Sequence, residues 1–171
     1  LLVGHATAAT AQGRIDVDSV RSLLARATSD APADFSRADL SGLLDHWNSP
    51  SETGHPVGLI PLMEGADGIR SPNELAQWWE FGLRTIGLAW AGTRYAGGTN
   101  EPGPLTDEGR ILLRAMADFP FTLDLSHMDE ASSVEALDIY DGPIVATHSN
   151  CLALLNEDTH YHNRHLSDRV I

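Results

Sequence analysis

The sequence predicts an α/β fold, an incomplete (β/α) barrel with about half of its strand–helix units present. Three observations predict it. Short apolar runs alternate with amphipathic segments four times in succession, the pattern of parallel strands joined by crossover helices. Three of the four runs end in polar, chemically capable side chains. A full eight-unit barrel takes roughly 250 residues, and the chain has 171. An open doubly wound sheet is the competing architecture, but no Gly-x-Gly-x-x-Gly follows any of the runs.

The first fifty residues form a helical N-terminal segment of the barrel (1–50), with helical spacing over Val17–Ala27 and Arg37–Trp47. Asp16 and Asp18 suit a helix start, and Asp34 or Ser36 can cap the second helix. Asn48-Ser49-Pro50-Ser51 reads as a loop, and residues 51–171 then carry the consecutive units. Pro56 to Met63 is an apolar run suited to a strand covered on both faces. Ser71-Pro72-Asn73-Glu74 combines a cap, a proline at the first helical position and a Glu three places on, and opens a helix to about Gly82. Trp78-Trp79 within it reads as core. Thr85–Trp90 is the second run. Thr106-Asp107-Glu108-Gly109 opens the next helix, whose apolar stripe is Ile111, Leu112, Ala115 and Met116. Phe119–Leu125 is the third strand, Asp129–Tyr140 the third helix of this series, and Gly142-Pro143 stops it before a strand at Ile144–Thr147. A final helix is expected over Asn150–Leu155.

Composition excludes several function classes. All eleven basic residues are arginine, so a Schiff base, a P-loop lysine and a carboxylated lysine bridging two metals are all unavailable. A formal net charge of −13 opposes binding to nucleic acid or to an anionic membrane face. Cys151 has no internal partner, and neither a signal-peptide pattern nor an apolar run of membrane-spanning length is read in these 171 residues, so a cytoplasmic location is expected. The chain starts at Leu1 rather than Met and stops at Ile171, and both ends are expected to be cut.

The chemistry gathers at the strand ends. The first run leads into Met63-Glu64-Gly65, the third into Asp124-Leu125-Ser126-His127 and the fourth into Ala146-Thr147-His148-Ser149. In parallel α/β sheets the loops at the carboxyl ends converge on one mouth. Two imidazoles and a carboxylate there suit zinc or a similar divalent ion, against the plainer reading of loop-capping side chains. A two-metal site also needs an anionic bridge, and without lysine Glu64 is the strand-end candidate. Asp124 is expected to bond backbone. Ser126 and Ser149 lie outside any Gly-x-Ser-x-Gly, which argues against serine catalysis. His160, His162 and His165 read as a solvent-exposed loop.

Six ordered blocks then carry a resemblance. Met63-Glu64-Gly65, Ile86–Trp90 with Arg94–Gly98, Leu105–Gly109, Asp124–His127, Thr147–Ser149 and Arg164–Asp168 resemble, in order and spacing, the membrane (renal) dipeptidase family of binuclear zinc peptidases. The resemblance covers about Val57–Ile171 and implies an amidohydrolase-type barrel that cleaves the peptide bond of a small dipeptide with a metal-bound hydroxide. It implies two zinc ions in the intact site, with Glu64 as the catalytic carboxylate bridging them and His127 and His148 as ligands of the second ion. Arg164 matches the arginine that holds the substrate carboxylate, a role suited to a planar bidentate donor. Trp90 stands where some members carry a His and reads as a wall of the substrate pocket.

Two family elements have no match. The first strand should supply His-x-Asp; near the N-terminus, Gly4-His5-Ala6-Thr7 places Thr7 where the Asp belongs. The late-strand aspartate is also absent. The alternatives are therefore a truncated or degenerate homologue without catalysis, holding fewer zinc ions or none, and one half of a homo-oligomer whose partner chain supplies the missing ligands.

Overall fold

A computed structural model describes residues 37–49, 60–156 and 162–171. The expected helix Val17–Ala27, His5, His160 and the first half of the run from Pro56 to Met63 lie outside these residues. Helix α1 (Arg37–Asn48) is followed by strand β1 (Leu62–Glu64), helix α2 (Leu75–Glu80) and strand β2 (Thr85–Gly87). A hairpin, β3 (Ala96–Gly98) and β4 (Glu101–Leu105), precedes helix α3 (Asp107–Met116). Strand β5 (Thr122–Asp124), helix α4 (Glu130–Ile139) and strand β6 (Ile144–Val145) complete the series.

Four strands form one parallel sheet in the order β1-β2-β5-β6. That order follows the chain without reversal. A doubly wound sheet reverses direction at its switch point, whereas a barrel adds each strand beside the last. The strand order therefore favours the barrel reading.

Register explains how the sheet both packs and presents chemistry. Met63, Ile86, Leu123 and Ile144 pair across the sheet in one row. The next row is Glu64, Gly87, Asp124 and Val145. Successive residues of a strand face opposite sides, so the apolar row and the row carrying both carboxylates face opposite sides. Ile86 and Leu123 are fully buried in the core, together with Leu112, Leu113, Met116 and Phe121.

Side-chain caps open both of the later crossover helices, at the starts the sequence predicts. The Thr106 hydroxyl accepts from Gly109 N at 3.0 Å at the start of α3, and Asp129 accepts from Ala131 N at the start of α4. The apolar stripe of α3 differs from expectation. Gly109, Leu112, Leu113 and Met116 are buried, while Ile111 is 55% exposed. The helix turns its glycine inward because a Cβ at position 109 would lie 2.0 Å from the Tyr95 carbonyl oxygen. Small residues do similar work in α4, where Ser132 Oγ donates to Gly103 O at 2.6 Å and accepts from Gly97 N at 3.1 Å, pinning the hairpin.

Two further expectations are corrected, and one element is new. The segment from Ser71 begins as a 3₁₀ turn, Pro72–Glu74, without a side-chain cap from Ser71. Glu74 instead accepts from Arg70 N at 2.9 Å and pairs with the Arg70 guanidinium, one residue earlier than a capping box. Asn150–Leu155 holds a 3₁₀ turn, Leu152–Leu154, because Cys151 bridges to Leu166 and ties up the backbone there. The β3–β4 hairpin was not foreseen; Glu101-Pro102-Gly103-Pro104 contains two prolines, which oppose a strand reading. Trp78 is buried as expected, with Trp79 packed edge-on against Phe121.

Candidate metal centre

Three strand ends build the centre. Glu64 closes β1, and Gly65 turns the chain away with a φ of 83°, a conformation that costs a side-chain-bearing residue but not glycine. Gly65 N donates to Gly87 O at 3.0 Å, extending the ladder one step past the strand. His127 follows Asp124 by three residues, and His148 follows Val145 by three; Asp124 and Val145 are register partners. The two imidazoles are thus equivalent in height above adjacent strands.

His127 also adopts a positive φ, 67°, unusual for a residue with a Cβ. Its ring is held by Thr99, whose Oγ1 lies 3.0 Å from His127 Nδ1. The His148 backbone N donates to Ser126 Oγ at 3.1 Å, and its Nδ1 lies 2.8 Å from Thr147 Oγ1. Both Nε2 atoms turn toward one oxygen: Glu64 Oε1 is 2.9 Å from each. One donor atom from each of the three residues falls within 4.8 Å of the others.

The His127–Glu64 contact has the length of an ion pair but not its charges at neutral pH. Burial, the Arg164 guanidinium and the neighbouring His148 hold the His127 pKa at about 4, outweighing the pull of Glu64. A neutral, buried imidazole beside a carboxylate is the state that ligates a metal. Two imidazoles and a carboxylate with their donor atoms gathered at one point fit a zinc ion by both chemistry and placement.

The other two expected site residues join the same place. Arg164 stands in a 3₁₀ turn, His162–Arg164, and its Nη2 donates to His148 O at 3.1 Å. Its Nε is buried and has no hydrogen-bond partner among the described residues. Ser149 Oγ donates to the Arg164 carbonyl at 3.0 Å, and Asn163 Nδ2 donates to Gly98 O at 2.7 Å, fixing this turn against the hairpin. The Trp90 ring lies 5.7 Å from the His127 ring and is 52% exposed. His162 and His165, expected as exposed loop residues, are half-buried.

Both serines hold backbone near the centre: Ser126 Oγ accepts from His148 N, and Ser149 Oγ donates to the Arg164 carbonyl. Thr99, Thr147 and Asn163 were missed at the sequence level. Thr147 adjoins a strand-end His, which was the available signal; Thr99 and Asn163 reach the centre only through the hairpin.

Comparison with known proteins now decides the family. Residues 17–171 match the family model of the membrane dipeptidases, peptidase family M19. The chain belongs to the membrane dipeptidase family. Its relatives include the dipeptidase tcpJ of Claviceps purpurea, 30% identical over 123 residues, which cover 67% of this chain and 28% of tcpJ. An uncharacterised protein from Acinetobacter calcoaceticus is 37% identical over 108 residues, 57% of this chain and 34% of that protein. A metallopeptidase structure from Rhodobacter sphaeroides, bound to a phosphinate mimic of L-Ala-D-Ala, superposes with a TM-score of 0.56 at 32% identity. It covers 66% of this chain and 33% of the other. A probable dipeptidase, PvdM, from Pseudomonas aeruginosa gives a TM-score of 0.70 at 20% identity over 89% of this chain and 38% of that one, a likeness of fold. The chain thus spans about a third of the length of the curated relatives it matches. No described helix is long and apolar enough to cross a membrane.

Proposed function

We propose that this chain supplies the His–His–Glu part of a zinc dipeptidase centre acting on the peptide bond of a dipeptide. The convergence of Glu64 Oε1 with the two imidazole Nε2 atoms carries the reading. Glu64, His127 and His148 would hold the ion, which when bound supplies Lewis acidity to a carbonyl and to water. The same carboxylate would also serve a second zinc, for which the described residues offer no further ligand group. Arg164 would orient the substrate: its guanidinium donates to His148 O beside the centre, its Nε has no partner among the described residues, and a planar donor suits a terminal carboxylate. Trp90, half-exposed over His127, walls the side-chain space and sheds water from it.

Zinc titration of the purified chain by calorimetry tests the metal reading. The expected result is one tightly bound ion per chain; absence of binding at micromolar zinc would sink it. Where a dipeptide is hydrolysed, Arg164→Lys is expected to raise KM more than it lowers kcat.

One observation favours a second reading, that another copy of the chain completes the site. Strands β1 and β6 each have a single neighbour within the described sheet, and an unpaired strand edge invites pairing. Light scattering distinguishes them: a stable dimer supports a shared barrel, and a monomer removes it.

A further inference from the structure

Behind His148 runs a hydrogen-bond chain whose proton positions can be assigned. Asp124 is 1% exposed, and its Oδ1 accepts from Ser126 N at 3.0 Å and Thr147 N at 3.1 Å. Its Oδ2 accepts the Thr147 hydroxyl proton at 2.6 Å. A hydroxyl has one proton to give. With that proton committed to the carboxylate, Thr147 Oγ1 can only accept from His148 Nδ1, 2.8 Å away. The uncharged imidazole then carries its hydrogen on Nδ1 and its lone pair on Nε2.

We propose that Asp124 and Thr147 are positioning residues that lock His148 in the Nδ1–H tautomer and aim its Nε2 lone pair at Glu64 Oε1. With the neutral Nδ1–H tautomer, the 2.9 Å contact between Nε2 and the carboxylate oxygen is favourable only when a cation lies between them, a metal ion or a second imidazole proton. The relay therefore prepares the His148 corner for a metal before any metal arrives. Partners of this kind orient metal-ligating imidazoles and typically carry about a 10- to 100-fold effect on affinity. The assignment rests on the zinc reading above for its purpose, but the tautomer is a property of the metal-free chain.

Asp124→Asn separates orientation from mere packing, because it is isosteric. The Asn carbonyl can keep both backbone N–H bonds, while its NH₂ now faces Thr147 Oγ1 as a donor. The hydroxyl must then give its own proton to His148 Nδ1, moving the imidazole hydrogen to Nε2, where it blocks a metal. Thr147→Val removes the relay without reversing it, and Thr147→Ser restores it. The test is long-range ¹H–¹⁵N correlation NMR of the imidazole nitrogens in metal-free wild-type and variant chains, with zinc affinity measured by chelator competition and melting temperature as a fold control. Wild type and Thr147→Ser are expected to show Nδ1–H, Asp124→Asn to show Nε2–H, and Thr147→Val a mixture. Zinc affinity should fall about 10- to 100-fold in Asp124→Asn. A folded Asp124→Asn that keeps Nδ1–H would overturn the proposal. Wild-type chain that binds no zinc but shows the tautomer switch would instead overturn the metal reading and leave the relay standing.

Discussion

Glu64 Oε1 lies 2.9 Å from His127 Nε2 and 2.9 Å from His148 Nε2, although Glu64 and His148 come from the two outer strands of the sheet. Flat strands spaced about 4.8 Å apart would hold β1 and β6 roughly 14 Å from each other. The side chains meet because the sheet curves as a barrel wall does and because both histidines lie three residues past their strands, on loops that turn inward. The carboxylate therefore contributes charge as well as a donor atom. Glu64→Gln keeps the shape and removes the charge, and zinc affinity is expected to fall at least about 100-fold with little change in melting temperature. Chelator competition reads the first quantity and calorimetry the second. Undiminished affinity would remove Glu64 from the centre.

His127 makes the metal-free protein sensitive to mild acid. Its pKa falls from 6.5 in the unfolded chain to about 4 in the fold, through burial first and Arg164 second. The unfolded chain binds the extra proton between those values, so stability is fully present above pH 6.5 and is lost as pH drops through about 4. His165, also lowered by burial, adds in the same direction. His127→Asn tolerates the positive φ and does not titrate. In the presence of EDTA, the loss of stability between pH 7 and pH 4 is expected to be smaller in this variant than in wild type. Equal losses would show that His127 titrates normally.

Gly109 reverses the usual helix rule. In a helix interior, Gly→Ala normally stabilises by about 1 kcal/mol. Here the new Cβ would meet the Tyr95 carbonyl oxygen at 2.0 Å, and that carbonyl also accepts from Thr106 N at 3.0 Å. Backbone on both sides leaves little room to yield. Gly109→Ala is expected to destabilise by about 1–3 kcal/mol, as overpacking does. Urea denaturation measures it, and a stabilised variant would mean that α3 does not seat on Tyr95.

These cases mark what the sequence could convey. Glu64, His127 and His148 were legible because each follows an apolar run, and chain position alone puts such residues at one mouth. The starts of α3 at Thr106 and of α4 at Asp129 were legible because the signals that open a helix are local. The inward face of α3 was not: Ile111 is more apolar than Gly109, and only the nearness of Tyr95 decides which one turns in. The hairpin was hidden for a related reason. Its pairing depends on Ser132 of α4 and on Asp129, which caps that helix, far along the chain, rather than on β-forming residues of its own. Thr99 reaches His127 across 28 positions on that hairpin, so its role was invisible until the hairpin was placed.

Tyr140 fastens the end of α4 to the sheet and gives the fold an alkaline limit. Its hydroxyl donates to Phe121 O at 2.6 Å, just before β5, and burial raises its pKa from 10.0 to about 12. The folded state holds this proton more tightly than the unfolded chain does. Its contribution is present in full below pH 10 and is lost as pH rises through about 12. Tyr95, which donates to Ile69 O, is raised in the same direction by burial and leaves part of the alkaline loss in place when Tyr140 is changed. Tyr140→Phe leaves the buried Phe121 carbonyl without this donor, at a cost of about 1–3 kcal/mol near neutral pH. Between pH 9 and pH 11.5 the variant is expected to lose less stability than wild type, so the two curves approach each other. Parallel curves across that range would show that the Tyr140 proton is not held by the fold.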